Sequence, residues 1–196
     1  MTLETLAFFG RTLGFSLAAG VNLYATVAIL GLAARYDWVT LPSEYQVFDN
    51  DWVIGTAVVL YVFEFFADKV PWVDSAWDAL HMVVRPVGGA LIAVSMLGEA
   101  SGGLTAAIAL LGGTVAAGSH ATKTATRLVA NSSPEPFSNW LLSFLEDGLV
   151  IGLGLLALQY PLAALVVSLL LIGAIVLMFA LLVRAIRRRR LRATAV

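Results

Sequence analysis

The chain has 196 residues, 60% of them hydrophobic and only 13% charged, with a mean hydropathy of +0.88; a water-soluble domain carries about 25% charged residues, so that class is excluded. No cysteine is present, which removes a disulfide framework, a thiolate metal site, an iron–sulfur centre and a cysteine nucleophile. The net charge of −1 conceals an asymmetry, because six of the twelve basic residues lie at 184–192.

Residues 1–9 have neither a basic stretch nor a small-residue cleavage site, so the first helix is expected to be retained and not removed as a signal peptide. Apolar runs follow at 13–34, 52–67, 79–97, 104–117, 141–158 and 162–183, separated by polar or Pro/Gly-bearing breaks. A bilayer span takes about 20 residues. The pattern therefore predicts a single all-α integral membrane domain of about six transmembrane helices, and the continuous runs disfavour a β-barrel. The second and fourth runs are short and must extend, tilt or be broken. The positive-inside bias places the C-terminal arginines in the cytoplasm. Six spans then put the N-terminus there too, with Arg35 the one basic residue outside.

A repeat is visible at a spacing of 98. Gly14 and the stretch 16–26 lie over Gly112 and 114–124, matching Asn22 to His120; at a spacing of 97, Val53-Ile-Gly55 falls on Val150-Ile-Gly152. This predicts repeats at 1–100 and 101–185 and a basic cytoplasmic tail at 186–196, unless Ala/Gly-rich helices align by chance. Three spans per unit would make the repeats inverted, as in many secondary transporters, with the site near the midplane.

Glu64 and Asp68 close the second run, and Pro71 is expected to break it. Asp74 or Ser75 is then expected to cap the third helix. Asp74, Asp78, His81 and Arg85, spaced four, three and four apart, share one stripe. That stripe is either a self-neutralising interfacial helix start or the lining of a polar cavity. His120, Lys123 and Arg127 form a second stripe, which either snorkels to the interface or seeks an anion: a carboxylate of this chain, an anionic solute or a lipid phosphate. Ser133 is expected to cap a helix from Pro134 that carries Asn139, Ser143 and Glu146 on one face, with Asp147 adjacent. The candidate binding residues are Asn22, Glu64, Asp68, Asp74, Asp78, His81, Arg85, His120, Lys123, Arg127, Asn139, Glu146 and Asp147.

The strings Asp68-Lys69-Val-Pro71-Trp-Val-Asp74, Trp77-Asp78-Ala-Leu-His81 and Arg85-Pro86, with Lys123, Arg127 and Asn131-Ser-Ser-Pro134-Glu135-Pro136-Phe-Ser138-Asn139, resemble a bacterial integral-membrane family known as domain of unknown function 4126. The resemblance covers nearly the whole chain and is most specific in Ser-Pro-Glu-Pro-Phe-Ser-Asn. It implies a multi-span domain in the bacterial cytoplasmic membrane and transfers no catalytic residue.

His81 and His120 are the only histidines. The chain has no His-Glu-x-x-His helix, Gly-x-Ser-x-Gly elbow, P-loop or dinucleotide fingerprint, so neither enzyme activity nor a cofactor or metal is expected. The arginine tail is explained by topology and anionic lipid, without nucleic acid. The leading expectation is a small transporter or channel-like carrier for a polar, preferentially anionic, solute or ion, with a charged site between inverted repeats. The alternatives are a protein that binds or translocates phosphate-bearing lipid, and a structural assembly factor. Expected partners are membrane lipids, anionic ones included, and the solute or ion. Small-residue runs also permit a homo-oligomer.

Overall fold

The computed structural model describes residues 2–38, 43–131 and 136–193. Among them all regular structure is helical: α1 (Leu3–Val21), α2 (Leu23–Arg35), a short 3-10 helix (Ser43–Phe48), α3 (Asp51–Ala67), α4 (Pro71–Ser95), α5 (Gly102–Asn131), α6 (Pro136–Gln159) and α7 (Pro161–Ala193). Four stretches are long and apolar enough to cross a membrane: Trp72–Ser95, Gly102–Ala130, Phe137–Gln159 and Pro161–Arg188. Large apolar side chains cover the outside, including Val59, Phe63 and Phe66 on α3 and Leu169, Leu170 and Val176 on α7. A contiguous surface of that kind belongs against lipid, not water.

The run at 13–34, expected as one span, is instead a helical hairpin that reverses at Asn22. On the way up, α1 passes α6 with Gly14 facing Ala157 and Phe15 near Gly154, and then Leu17, Ala18 and Val21 pack with Val150 and Leu153. On the way back, Ala25 joins that same cluster, Ile29 packs on Gly154, and Leu30 and Ala33 join Ala157 and Leu158. In one continuous helix Phe15 and Ile29 would stand about 21 Å apart, yet both meet Gly154. The reversal has a local cause. Asn22 is extended, with φ −146 and ψ 101. Its N–H closes α1 on the Ala18 carbonyl at 2.9 Å, and its side-chain oxygen accepts the Ala25 N–H at 2.9 Å to open α2, as a good N-cap residue does.

α1 is the axis of the bundle, with every residue at 12–21 buried. Close approach of its neighbours depends on missing side chains. A methyl group at Gly10 would overlap the Pro161 carbonyl, and one at Gly20 the Ala116 carbonyl. α4 and α5 pack antiparallel in the same way, with Gly89 against Ala116 and Gly112 against Ala93; small residues commonly mediate such contacts in membranes.

These contacts also set the direction of every helix. α1, α3, α5 and α7 run one way, taken here as upward; α2, α4 and α6 run down. Leu3 and Ala193 therefore lie at opposite ends of the bundle. α1 and α5 lie parallel, with Ser16 beside Gly112 and Gly20 beside Ala116 and Ser119. An in-plane axis would make them antiparallel, so the structure does not confirm the 98-residue match as an inverted repeat. Asn22 breaks its helix, whereas His120 lies within the continuous α5.

Two cap expectations also resolve. α4 begins at Pro71, with Val70 at the N-cap and no side-chain cap. Proline suits the first helical position, where its missing N–H is no loss, so Asp74 lies in the first turn and does not cap the helix. The expected Ser133 cap, with Pro134 and Glu135, lies outside the described residues. At the lower end Arg35 pairs with Asp49 at 2.8 Å and Asp51 at 2.6 Å.

Candidate functional site

The hairpin tip meets the two charged stripes. The last carbonyls of a helix lack intrahelical partners and carry partial negative charge. At the end of α1 they are met from α4 and α5, where Arg85 Nη1 donates to the Gly20 carbonyl at 3.4 Å and Lys123 Nζ to the Val21 carbonyl at 3.3 Å; one turn earlier Ser119 Oγ donates to the Leu17 carbonyl at 2.8 Å. Arg85 is fourteen residues into α4, about 21 Å along it.

Arg85 is fully buried. It donates through Nη2 to Glu64 Oε1 at 2.6 Å and through Nη1 to Asp78 Oδ1 at 3.3 Å and His120 Nδ1 at 2.7 Å. A guanidinium can only donate, so His120 Nδ1 accepts. The other nitrogen, Nε2, lies 3.2 Å from the Asp78 carbonyl, which can only accept. His120 is therefore neutral, with its proton on Nε2, and is not a cation of the stripe. Thr124 Oγ1 donates to Asp78 Oδ2 at 3.1 Å.

Above this layer, Lys123 bridges Asp68 Oδ2 at 3.0 Å, Glu64 Oε1 at 3.4 Å and Glu146 Oε2 at 3.7 Å. Arg127 closes the top. Its Nη1 donates to the Asp68 carbonyl at 2.7 Å and to Asn139 Oδ1 at 3.2 Å, its Nη2 to Asp68 Oδ2 at 3.1 Å and closely to Glu146, and its Nε to both Glu146 oxygens at 3.1 Å. Asp74 Oδ1 stands 3.9 Å from Arg127 Nε. The fork of Arg127 thus ties α5 to the α3–α4 turn and to α6, a bidentate role that lysine does not reproduce.

Asp74, Asp78, Arg85, Lys123 and Arg127 converge on one network, with Glu64, Asp68, Asn139 and Glu146 completing it. His81 shares the α4 stripe but serves a different contact. Its Nδ1 donates to the Trp77 carbonyl at 2.7 Å, leaving Nε2 to accept from Tyr24 Oη at 2.8 Å on the returning arm of the hairpin. Asn22 shapes the tip, its side-chain oxygen spent on the α2 cap. Tyr24 and Ser119 are contributors that the sequence reading did not single out. The available signal was Asn22 itself, a cap residue in the middle of an apolar run, which makes the residues after it a helix start.

On the upper rim Lys69 donates to the Phe65 carbonyl at 2.8 Å and to Ser143 Oγ at 3.3 Å, with its ammonium over the Phe65 ring. Burial pushes the Lys69 ammonium below its ordinary range, opposed by Asp147 and Asp68. Among the described residues the cluster holds six carboxylates, those of Glu64, Asp68, Asp74, Asp78, Glu146 and Asp147, and four cations, Lys69, Arg85, Lys123 and Arg127. Fully ionised, it carries a formal excess of two negative charges. The stripe of cations that pointed to an anionic ligand is met by the chain's own carboxylates.

Beside Lys123 and Glu146 a cavity of about 160 Å³ opens among α1, α5, α6 and α7, its wall otherwise dominated by apolar residues such as Leu17, Leu149, Leu153 and Leu171. Through Thr126 and Leu142 it adjoins an outer groove lined by Val129, Leu145 and Met178. No curated protein and no solved structure matches the chain. A family model described as a domain of unknown function (DUF4126) matches residues 10–181. That match takes in the hairpin tip and every residue of the network, and the chain belongs to this family.

Proposed function

We propose that the chain is a carrier of the bacterial cytoplasmic membrane that moves a cation, using the network at the hairpin tip as its binding site. In this reading α3 to α7 cross the bilayer, the α1–α2 hairpin enters and leaves on one side, and the upper end, with Lys69 and the arginine tail, faces the cytoplasm. The observation that carries it is the acidic excess of a buried network at the end of a broken helix. Ionisable groups inside a membrane are costly and mark pathways, and irregular backbone at membrane depth is tolerated where protein or a cavity surrounds it. Discontinuous helices use their ends to hold ions in the same manner. The reading is of transport without chemistry on the solute, consistent with the lack of enzyme motifs in the sequence.

The test is flux through the full chain reconstituted in phospholipid vesicles, read with an entrapped pH dye and with radioactive sodium and potassium under an imposed membrane potential. The expected result is cation flux at least about tenfold above empty vesicles, abolished by Glu64→Gln. Flux equal to empty vesicles for protons, sodium and potassium would overturn the reading.

The groove between α5, α6 and α7 supports a second reading, a lipid-binding or lipid-translocating protein whose ligand places its chain in the apolar cavity and its headgroup at Lys123 and Glu146. Leu142→Trp separates the two: filling the cavity removes retained lipid in native mass spectrometry and leaves cation flux intact if the first reading holds.

A further inference from the structure

Asp147 is the carboxylate of the cluster that no cation holds. It is 8% exposed, and its Oδ2 is buried without a hydrogen-bond partner. Glu64, Asp68 and Asp74 also have one buried oxygen each without a hydrogen bond, but Arg85, Lys123 and Arg127 hold the other oxygens of Glu64 and Asp68, and Arg127 stands 3.9 Å from Asp74. The charged groups acting on Asp147 are Glu64 on α3, Asp68 and Lys69 on the α3–α4 turn and Lys123 on α5; Tyr61 on α3 also faces it, and Glu146 precedes it on α6. Each cation is engaged elsewhere, Lys69 on Phe65 and Ser143 and Lys123 on Glu64 and Asp68.

A carboxylate with one oxygen buried and unpartnered is costly to keep charged. It must take a proton or coordinate a cation. Taking a proton removes the charge in place and needs no further ligand. We propose that Asp147 is the proton-binding group of the carrier: it takes a proton from water on one side as a neutral carboxyl and releases it as a carboxylate on the other.

The surroundings supply an access route and a partner for the ionised form. Ser143 precedes Asp147 by four residues, one helical turn toward the upper end on the same face, and Lys69 sits on Ser143 at 3.3 Å. Lys69 and Ser143 therefore stand between Asp147 and the upper water. When Asp147 loses its proton, the flexible Lys69 side chain can leave Ser143 and pair with the new carboxylate. When the proton returns, Lys69 goes back to Ser143 and the Phe65 carbonyl. Proton binding is in this way coupled to a side-chain exchange at the rim of the site.

This inference rests on the carrier reading for its transport arm alone. The experiment is infrared difference spectroscopy of the reconstituted full chain across a pH titration, following the carbonyl band of protonated carboxyl groups, paired with dissipation of a pH gradient in vesicles. Asp147→Asn keeps the shape and removes the proton site, and the exposed Glu99→Gln is the control. The expected outcome is a titrating carboxyl band lost in Asp147→Asn and kept in Glu99→Gln, with proton flux reduced at least about tenfold. A band that persists unchanged in folded Asp147→Asn would overturn the proposal, as would wild-type sodium binding that this variant abolishes. A band lost without any wild-type flux upholds Asp147 as the proton site and counts against the carrier reading instead. Should Asp147→Asn fail to fold, Asp147→Glu keeps the test sharp: it must retain a titrating band at a displaced midpoint.

Discussion

Replacing Arg127 by alanine tests the network most directly. Arg127 is 1% exposed and contacts Asp68 through both its carbonyl and its carboxylate, Glu146 through both oxygens, and Asn139. Its removal strands Asp68 and Glu146 in a poorly hydrated interior and cuts the tie between α5, the α3–α4 turn and α6. Breaking a buried pair from one side typically costs about 3–5 kcal/mol because the remaining charge is left unpaired. For a chain of this size each kcal/mol corresponds to about 2–4 °C in Tm, so the expected loss is about 6–20 °C. Arg188→Ala on the exposed end of α7 removes the same charge and is expected to leave Tm within about 2 °C, since surface changes fall within about 0.5 kcal/mol. Arg127→Lys keeps the charge and loses the fork, and should fall between the two. Adding Glu146→Ala to Arg127→Ala should recover part of the loss, as coupling within one network requires. The assay is thermal unfolding of the full chain in detergent and in vesicles, at one protein concentration. An Arg127→Ala variant that unfolds within about 2 °C of the wild type would refute the reasoning, because it would mean that water or protonation compensates the pair.

Other expectations follow from the packing. Gly20→Ala puts a methyl group into the Ala116 carbonyl and should destabilise by about 1–3 kcal/mol or more through overpacking, whereas Gly55→Ala, with nothing within 4 Å, should be neutral or slightly stabilising by helix propensity; paired unfolding curves decide it. Asn22→Ala removes the α2 cap at the hairpin tip and should cost about 1 kcal/mol, read as a lower Tm with earlier hydrogen exchange at Leu23, Tyr24 and Ala25. Because the chain lacks cysteine, single cysteines introduced at Leu3 and Ala185 report sidedness cleanly. A membrane-impermeant thiol reagent should label the Leu3→Cys variant in intact cells and the Ala185→Cys variant only after permeabilisation, and labelling of both in intact cells would contradict the hairpin.

Residue chemistry alone determined a good deal. Long apolar runs with few charges dictate helices that must bury their own backbone hydrogen bonds in lipid, and this fixes α4, α6 and α7 near the runs at 79–97, 141–158 and 162–183. Side-chain periodicity put Asp74, Asp78 and Arg85 on one stripe and Lys123 and Arg127 on another, because residues three and four apart on a helix share a face wherever the helix goes. Hydropathy could not say whether the run at 13–34 continues or turns back, since both arms of a hairpin buried in protein are as apolar as a span. Asn22 makes the turn, but only α6, packed against both arms through Gly154, makes the turn visible. The same holds for charge: the sequence displays cations that want an anion, and only the approach of α3 and α6 brings Glu64, Asp68 and Glu146 close enough to satisfy them. Distances between helices decide which charges are spent on one another and which, like Asp147, are left over, and no spacing along a single helix contains that information.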